Sequence, residues 1–204
     1  MIIILDNLMG NANSVSNMIK FIGKDCKVSS EINDIKNASR IIIPGVGSFD
    51  NSMKILKSNY RLLDTLKEKI LIKKTLALGI CIGMQIFFDK SEEGKEKGLQ
   101  WIEGDVLSFK KLENKVKVPH IGWNNITIKN KNFIVKNKLD KQLRFYFVHS
   151  YYVNCKHDEH SVGSTFHGKN FTSIVNKENI FGVQFHPEKS HKFGMQLFKN
   201  FLSI

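Results

Sequence analysis

The chain has 204 residues, 42% hydrophobic and 25% charged, which is ordinary for a soluble globular protein and long enough to bury a sizeable core in one large domain. The apolar opening, residues 1–5, stops at Asp6 and no later stretch carries a long uncharged run, which excludes a signal h-region or a membrane helix and makes a cytoplasmic chain the expectation. The formal charge of +12 is mostly lysine; it could attract nucleic acid, acidic lipid or an acidic protein, but no nucleic-acid-binding motif and no basic stripe interleaved with aromatics accompanies it, so no nucleic-acid partner is expected.

In chain order, residues 1–5 form a β-branched run that reads as a buried strand. Residues 14–23 place Val15, Met18, Ile19 and Ile22 at helical spacing, with Gly23 as a stop. Residues 41–43 are a second buried strand, ended by Pro44-Gly45-Val46-Gly47. Residues 53–72 read as one helix through Ile55, Leu56, Leu62, Leu63, Leu66 and Ile70. Residues 75–80 are a third strand that runs into Cys81-Ile82-Gly83-Met84-Gln85, after which Met84, Ile86, Phe87 and Phe88 follow a helical pattern. Alternating strands and helices predict a parallel sheet covered on both faces. The second half differs: residues 101–109, 126–128, 145–148, 172–175 and 181–185 look like short strands between polar turns, an antiparallel or mixed extension of the same sheet. Residues 193–201 close the chain as a helix with Phe193, Leu197, Phe198 and Phe201 on one face. No linker, repeat or low-complexity tract interrupts this order.

Three cysteines, Cys26, Cys81 and Cys155, are widely spaced and odd in number, and no Cys-x-x-Cys pair occurs. That argues against a disulfide framework and a zinc site, and for reduced thiols. Cys81 stands apart because Gly79 and Gly83 flank it in Gly-Ile-Cys-Ile-Gly, between a strand and a helical pattern. This is the layout of a nucleophile elbow. A sharp strand-to-helix turn forces the nucleophile into strained backbone angles, and side chains two positions away would collide. The turn also sets the sulfur at the positive end of a helix, where thiolate is favoured, and beside backbone N–H groups that can hold an oxyanion. A buried, inert cysteine would fit a strand–turn–helix as well; Cys26 and Cys155 lack the glycines and read that way.

The second motif is Gly182-Val183-Gln184-Phe185-His186-Pro187-Glu188. A strand ending at His186, followed by a stiffening proline, would let Glu188 point back at the imidazole. The result would be a Cys–His–Glu triad in which the carboxylate fixes the tautomer and steadies the imidazolium. A lone His-x-Glu is weak, and His120, His149, His157, His160, His167 and His191 compete. The case rests on both motifs occurring together.

These residues resemble the class I, or triad, glutamine amidotransferases, and within that family the HisH-type glutaminase subunits. The resemblance spans nearly the whole chain: Asp6 with Gly10-Asn11 and Ser14-Val15, Pro44-Gly45-Val46-Gly47-Ser48-Phe49, residues 78–85, Gly98-Leu99, Pro119-His120-Ile121-Gly122-Trp123-Asn124, Phe147-Val148-His149-Ser150-Tyr151-Tyr152 and residues 182–190. The Cys81 and His186 blocks are common to class I; those at 44–49, 119–124 and 147–152 are particular to the HisH type. The implied fold is α/β, a central mostly parallel sheet flanked by helices with an antiparallel or mixed extension, as one domain over residues 1–204.

By position, the resemblance implies that Cys81 attacks the glutamine carboxamide and forms a γ-glutamyl thioester, His186 shuttles the proton, and Glu188 orients His186. Val46 and Gly47 would form the oxyanion strand, working with the N–H of Ile82; glycine at 47 lets a peptide turn over without a Cβ penalty, although an ordinary Pro-Gly turn fits the same residues. Gln85 and Glu93 would hold the amino-acid end of the substrate, with Glu92 competing for the latter role, and Ser150 and Tyr151 would wall the pocket. Trp123, Asn124 and Asn11 would face a partner, a HisF-like cyclase barrel, in a heterodimer; a core tryptophan is the alternative. No cofactor or metal is implied. The family usually has Asp-Tyr-Gly before its Gly-Asn pair, whereas Asn7-Leu8-Met9 follow Asp6 here, which bears on partner identity. The expected function is a glutaminase that supplies ammonia for imidazole glycerol phosphate and aminoimidazole carboxamide nucleotide formation in histidine biosynthesis. The alternatives are a HisH-like paralogue serving a surface-sugar amidotransferase, a basic nucleic-acid-binding protein with a relic site, and a peptidase or γ-glutamyl hydrolase; Gln85 and Glu93 argue against the last.

Overall fold

The computed structural model describes residues 1–6, 10–113, 115–129, 134 and 143–204; the Asn7-Leu8-Met9 departure lies outside the described residues. Short β-branched runs that bury both faces build a parallel half. Strand β1 (Ile2–Leu5) lies between β2 (Cys26–Ser29) and β3 (Arg40–Gly45), and β4 (Leu76–Cys81) pairs with β3, every pairing parallel. Parallel neighbours need crossovers, supplied by α1 (Ala12–Phe21), α2 (Ile32–Lys36), and α3 (Phe49–Ser58) with α4 (Tyr60–Lys67). Ile3, Ile4, Leu5, Ile41, Ile42, Leu78 and Ile80 are wholly shielded from solvent, each worth about 1.5–3 kcal/mol relative to exposure.

After β4 comes the one-turn helix α5 (Ile82–Gln85), then β5 (Lys90–Ser91), β6 (Gly104–Ser108), β7 (His120–Ile128), β8 (Leu143–His149), β9 (Tyr151–Cys155), β10 (Ser161–His167), β11 (Lys169–Lys177) and β12 (Ile180–Val183). Helix α6 (His191–Phe201) ends the order. Among the described residues the sheet has twelve strands and runs β2-β1-β3-β4-β12-β11-β10-β7-β8, with β9, β6 and β5 branching from β11. It is parallel as far as β12 and antiparallel from β11 to β8, the α/β arrangement with a mixed extension that the sequence predicts. The pairing that matters most is β12 on β4, with Gly182 opposite Gly79 and Val183 opposite Ile80. It lays the segment after β12 alongside the end of β4, so residues far apart in sequence meet.

Several boundaries differ from expectation for identifiable reasons. Residues 53–72 are two helices and a π turn, Glu68–Ile72, not one helix. Asn59 leaves helical angles at φ −107°, ψ 73° and its side chain caps α4 by accepting the N–H of Leu62, a competition with helix hydrogen bonding that Asn favours. The helical pattern after Cys81 lasts one turn. The N–H groups of Leu99, Gln100, Trp101 and Ile102 take the carbonyls of Ile86, Phe88 and Phe87 that a longer helix would have used. Residues 101–109 hold a strand only at 104–108, and β12 ends at Val183, short of His186. Residues 126–128 are the tail of the nine-residue β7. No helix among the described residues is long and apolar enough to cross a membrane.

Candidate functional site

Cys81 ends β4 at φ 56°, ψ −111°, a backbone region that non-glycine residues enter only under constraint. The constraint comes from main chain. A Cβ on Gly79 would come within 2.4 Å of the carbonyl oxygen of Gly83, and one on Gly83 within 1.8 Å of that of Ile43 in β3. Both contacts are far inside van der Waals range, so the two glycines let the turn pack against β3 with the sulfur at its apex. Because α5 is a single turn, helix-dipole support for the sulfur is small.

Beyond β12, Phe185 stacks on Phe145 with ring centroids 4.0 Å apart. The N–H of His186 donates to the carbonyl of Tyr146, and the hydroxyl of Ser190 donates to the carbonyl of His186. These contacts fix the backbone of His186, whose side chain is 1% exposed. Its Nδ1 donates to Glu188 Oε1 at 2.7 Å, and the Asn11 amide donates to that same oxygen at 2.7 Å. Burial works to lower the pKa of His186, but the Cys81 sulfur and the Glu188 carboxylate outweigh it and push it up to about 10. The other imidazole nitrogen, Nε2, is buried without a well-formed hydrogen bond among the described residues.

Cys81 and His186 open onto one cleft of ≈ 320 Å³, lined also by Val46, Gly47, Ile82, Gln85, Glu93, Pro119, Val148, His149, Ser150 and Tyr151. All of the residues expected at the nucleophile, the base, the oxyanion strand and the glutamine pocket thus meet at one cavity, with Glu188 directly behind His186. Gly47 has φ 108°, and nothing lies within 4 Å of where its Cβ would be, so backbone conformation rather than crowding calls for glycine there. Glu93 and Glu92 have separate tasks. Glu93 reaches the cleft, where its Oε2 accepts the N–H of Phe49 at 2.7 Å; burial raises its pKa, against that hydrogen bond and with help from Asp50. Glu92 points away, accepting from Ser108 N and Lys111 Nζ.

The three residues expected at a partner surface lie in different settings. Trp123 is 39% exposed on β7, stacked on His191 with centroids 5.7 Å apart, beside Arg144, Lys192 and Phe193. Asn11 is half-buried and its amide reaches the triad carboxylate. Asn124 turns its amide inward to His120 Nε2 at 3.1 Å. The sequence reading missed Gln184, completely buried, whose Nε2 donates to Cys81 Sγ at 3.7 Å. The signal in the sequence was only its place two residues before His186 in the same motif; β12 ends at Val183, so strand alternation does not reach it.

A parallel sheet that seats a cysteine on a strained elbow, opposite a buried His–Glu pair, defines a thiol-dependent α/β amidohydrolase. The Glutamine amidotransferase class-I family profile matches residues 3–204, and the chain belongs to that family. It is 48% identical over 206 residues to "Imidazole glycerol phosphate synthase subunit HisH 2" of Methanococcus maripaludis, covering 99% of this chain and 98% of the relative. It is 45% identical over 204 residues to the protein of the same name from Pseudomonas aeruginosa, covering all of both. Among solved structures, "Crystal structure of glutamine amidotransferase" superposes with TM-score 0.75 at 15% identity over 98% of this chain and 97% of that one. PurLQS from Thermotoga maritima does so with TM-score 0.73 at 16% identity, over 99% and 97%. At those identities the likeness speaks for the fold alone.

Proposed function

We propose that this chain is the glutaminase subunit of imidazole glycerol phosphate synthase, making ammonia from glutamine for a HisF-like cyclase barrel in a cytoplasmic heterodimer. One observation supports the chemistry above all: a cysteine on a glycine-flanked elbow shares one cleft with a buried imidazole hydrogen-bonded to a carboxylate. The full-length relatives named for that synthase support the pathway role.

In this reading the Cys81 thiolate attacks the carboxamide carbon of glutamine. The carbonyl π electrons move to oxygen, and that oxyanion is met by the N–H of Ile82 and one from Val46 or Gly47. His186 gives its proton to the leaving nitrogen, the C–N bond breaks, and ammonia departs from a γ-glutamyl thioester. Water then loses a proton to His186, attacks the thioester and releases glutamate and thiolate. Glu188 keeps His186 in the tautomer that presents Nε2 to the sulfur. Gln85 and Glu93 hold the amino-acid end, and Ser150 and Tyr151 wall the pocket. Ammonia passes to the partner through the face that carries Trp123 and Asn124, because protonation in bulk water would remove its nucleophilic form.

The test is ammonia release from glutamine with and without a HisF-like barrel, for wild type and Cys81→Ala. Barrel-stimulated release that the substitution abolishes supports the proposal. Steady release by the isolated chain equal to that of the complex would contradict partner gating. A second reading, ammonia supply to a surface-sugar amidotransferase, draws on the Asn7-Leu8-Met9 departure and on the number 2 in both relatives' names. Stimulation by a sugar-modifying synthase but not by a HisF-like barrel would select it.

A further inference from the structure

Behind the cleft, one hydrogen bond forces the next. The carbonyl of Tyr151 can only accept, and Gln85 meets it at 3.3 Å; Gln85 must therefore turn its Nε2 that way, as its 3.0 Å bond to Gln184 Oε1 also requires. With both Gln85 protons so used, Gln184 has no choice of amide orientation: Oε1 faces Gln85 and Nε2 faces Cys81 Sγ, 3.7 Å away. The Tyr151 carbonyl is itself held from the other side by His149 Nδ1 at 2.7 Å. His149 Nε2 must then accept from His120 Nδ1 at 2.9 Å, and His120 Nε2 from the Asn124 amide at 3.1 Å. The second Asn124 proton goes to the carbonyl of Phe166 at 3.0 Å. Each group from Asn124 to Cys81 thus has a fixed sense. The arrangement works only with both imidazoles neutral, and burial lowers the pKa of each, to about 4 for His120 and about 3 for His149. Gln85, His149 and Gln184 are 6% exposed or less, so water does not substitute for a missing partner.

We propose that Gln184 is a positioning residue for the nucleophile, and that the acceptor-only Tyr151 carbonyl, acting through Gln85, keeps its amide N–H, not its carbonyl, against the Cys81 sulfur. A donor there favours thiolate over thiol. The reverse amide would set an oxygen lone pair against the sulfur and favour the protonated, unreactive form. The other ionisable groups on this cleft are His186 after β12, with Glu188 behind it, Glu93 after β5, and Tyr151 on β9; β3 and α5 offer only backbone and uncharged side chains. The inference rests on the glutaminase reading for its meaning in catalysis, but it can be tested without glutamine.

The experiment measures the pH dependence of Cys81 alkylation by iodoacetamide in the full chain, with peptide mapping to separate Cys81 from Cys26 and Cys155. It compares wild type, Gln184→Glu and Gln184→Met, each checked by thermal unfolding, and follows glutaminase kcat and KM with the barrel present. Gln184→Met keeps length and removes the donor. Its alkylation midpoint should rise by about one pH unit. Gln184→Glu keeps shape and should rise further, with kcat down about tenfold or more and KM changed much less. Should Gln184→Glu fail to fold, Gln184→Met carries the decision. A folded Gln184→Met whose midpoint matches wild type overturns the proposal, whatever the kinetics. Absent glutaminase activity in wild type, alongside a shifted midpoint in the variants, would overturn the functional reading and leave this one standing.

Discussion

Two buried imidazole environments lie within one sheet and behave oppositely. His186 is enclosed beside a sulfur and a carboxylate, and its pKa rises to about 10. His120 and His149, enclosed by Phe109, Phe147 and Phe171 and by each other, have theirs lowered to about 4 and about 3. Burial opposes the charged form in all three; what differs is whether an anion or thiol waits on the other side. The same residue type is thereby favoured in its charged form in one place and in its neutral form in the other.

The contrast can be broken at its strongest point first. Cys81→Ala should lower glutamine turnover by about 10⁴-fold or more and bring the His186 pKa down, since the sulfur is a main cause of its rise; NMR titration of the imidazole reads the second effect. Glu188→Gln should cost about 10²–10⁴-fold in kcat, because the amide can no longer select the Nδ1–H tautomer, and should also lower the His186 pKa. A rate unchanged by that substitution would remove Glu188 from the triad.

Stability should carry opposite pH slopes from the two sites. A raised folded-state pKa means that the His186 contribution is complete below about pH 6.5 and fades as pH rises towards 10. The lowered values of His120 and His149 mean that their contributions are complete above about pH 6.5 and fade as pH falls towards 4 and 3. Denaturant unfolding between pH 7 and 4 should show His149→Asn, which keeps a donor for the Tyr151 carbonyl, with a shallower acid slope than wild type. The smallest expected effect is at Asn11→Ala. Losing the hydrogen bond from its amide to Glu188 Oε1 should cost about 1–2 kcal/mol, read as roughly a 5- to 30-fold fall in kcat with KM little changed.

The parallel half was legible where its signals are local and apolar; β2, an edge strand with alternating exposure, and the five-residue α2 carry no such run and went unread. Ile2 to Leu5, Ile41 to Ile43 and the run into Cys81 announce buried strands, and Gly79 and Gly83 announce the elbow, since each glycine answers a clash within a few residues or one strand away. The antiparallel half was much less so. Ser161–His167 and Tyr151–Cys155 carry Ser, Thr, Gly and Asn where an apolar strand was sought, because their buried polar atoms are satisfied across strands, as Ser161 is by Thr172 and Thr165 by Ser173. Asn59 split a helix whose apolar spacing runs straight through it. At the site, type and motif pointed to Cys81, His186 and Glu188, whereas the inward turn of Asn11 depends on a partner 177 residues away, beyond any window of spacing.

The elbow has a practical corollary. The turn is held by close approaches at Gly79 and Gly83 rather than by the side chain at its apex, so a side chain of similar size there should leave the backbone of the elbow in place. Exchanging the sulfur for a hydroxyl should leave an inert replica of the pocket, suited to capturing intact amide ligands for crystallography and calorimetry.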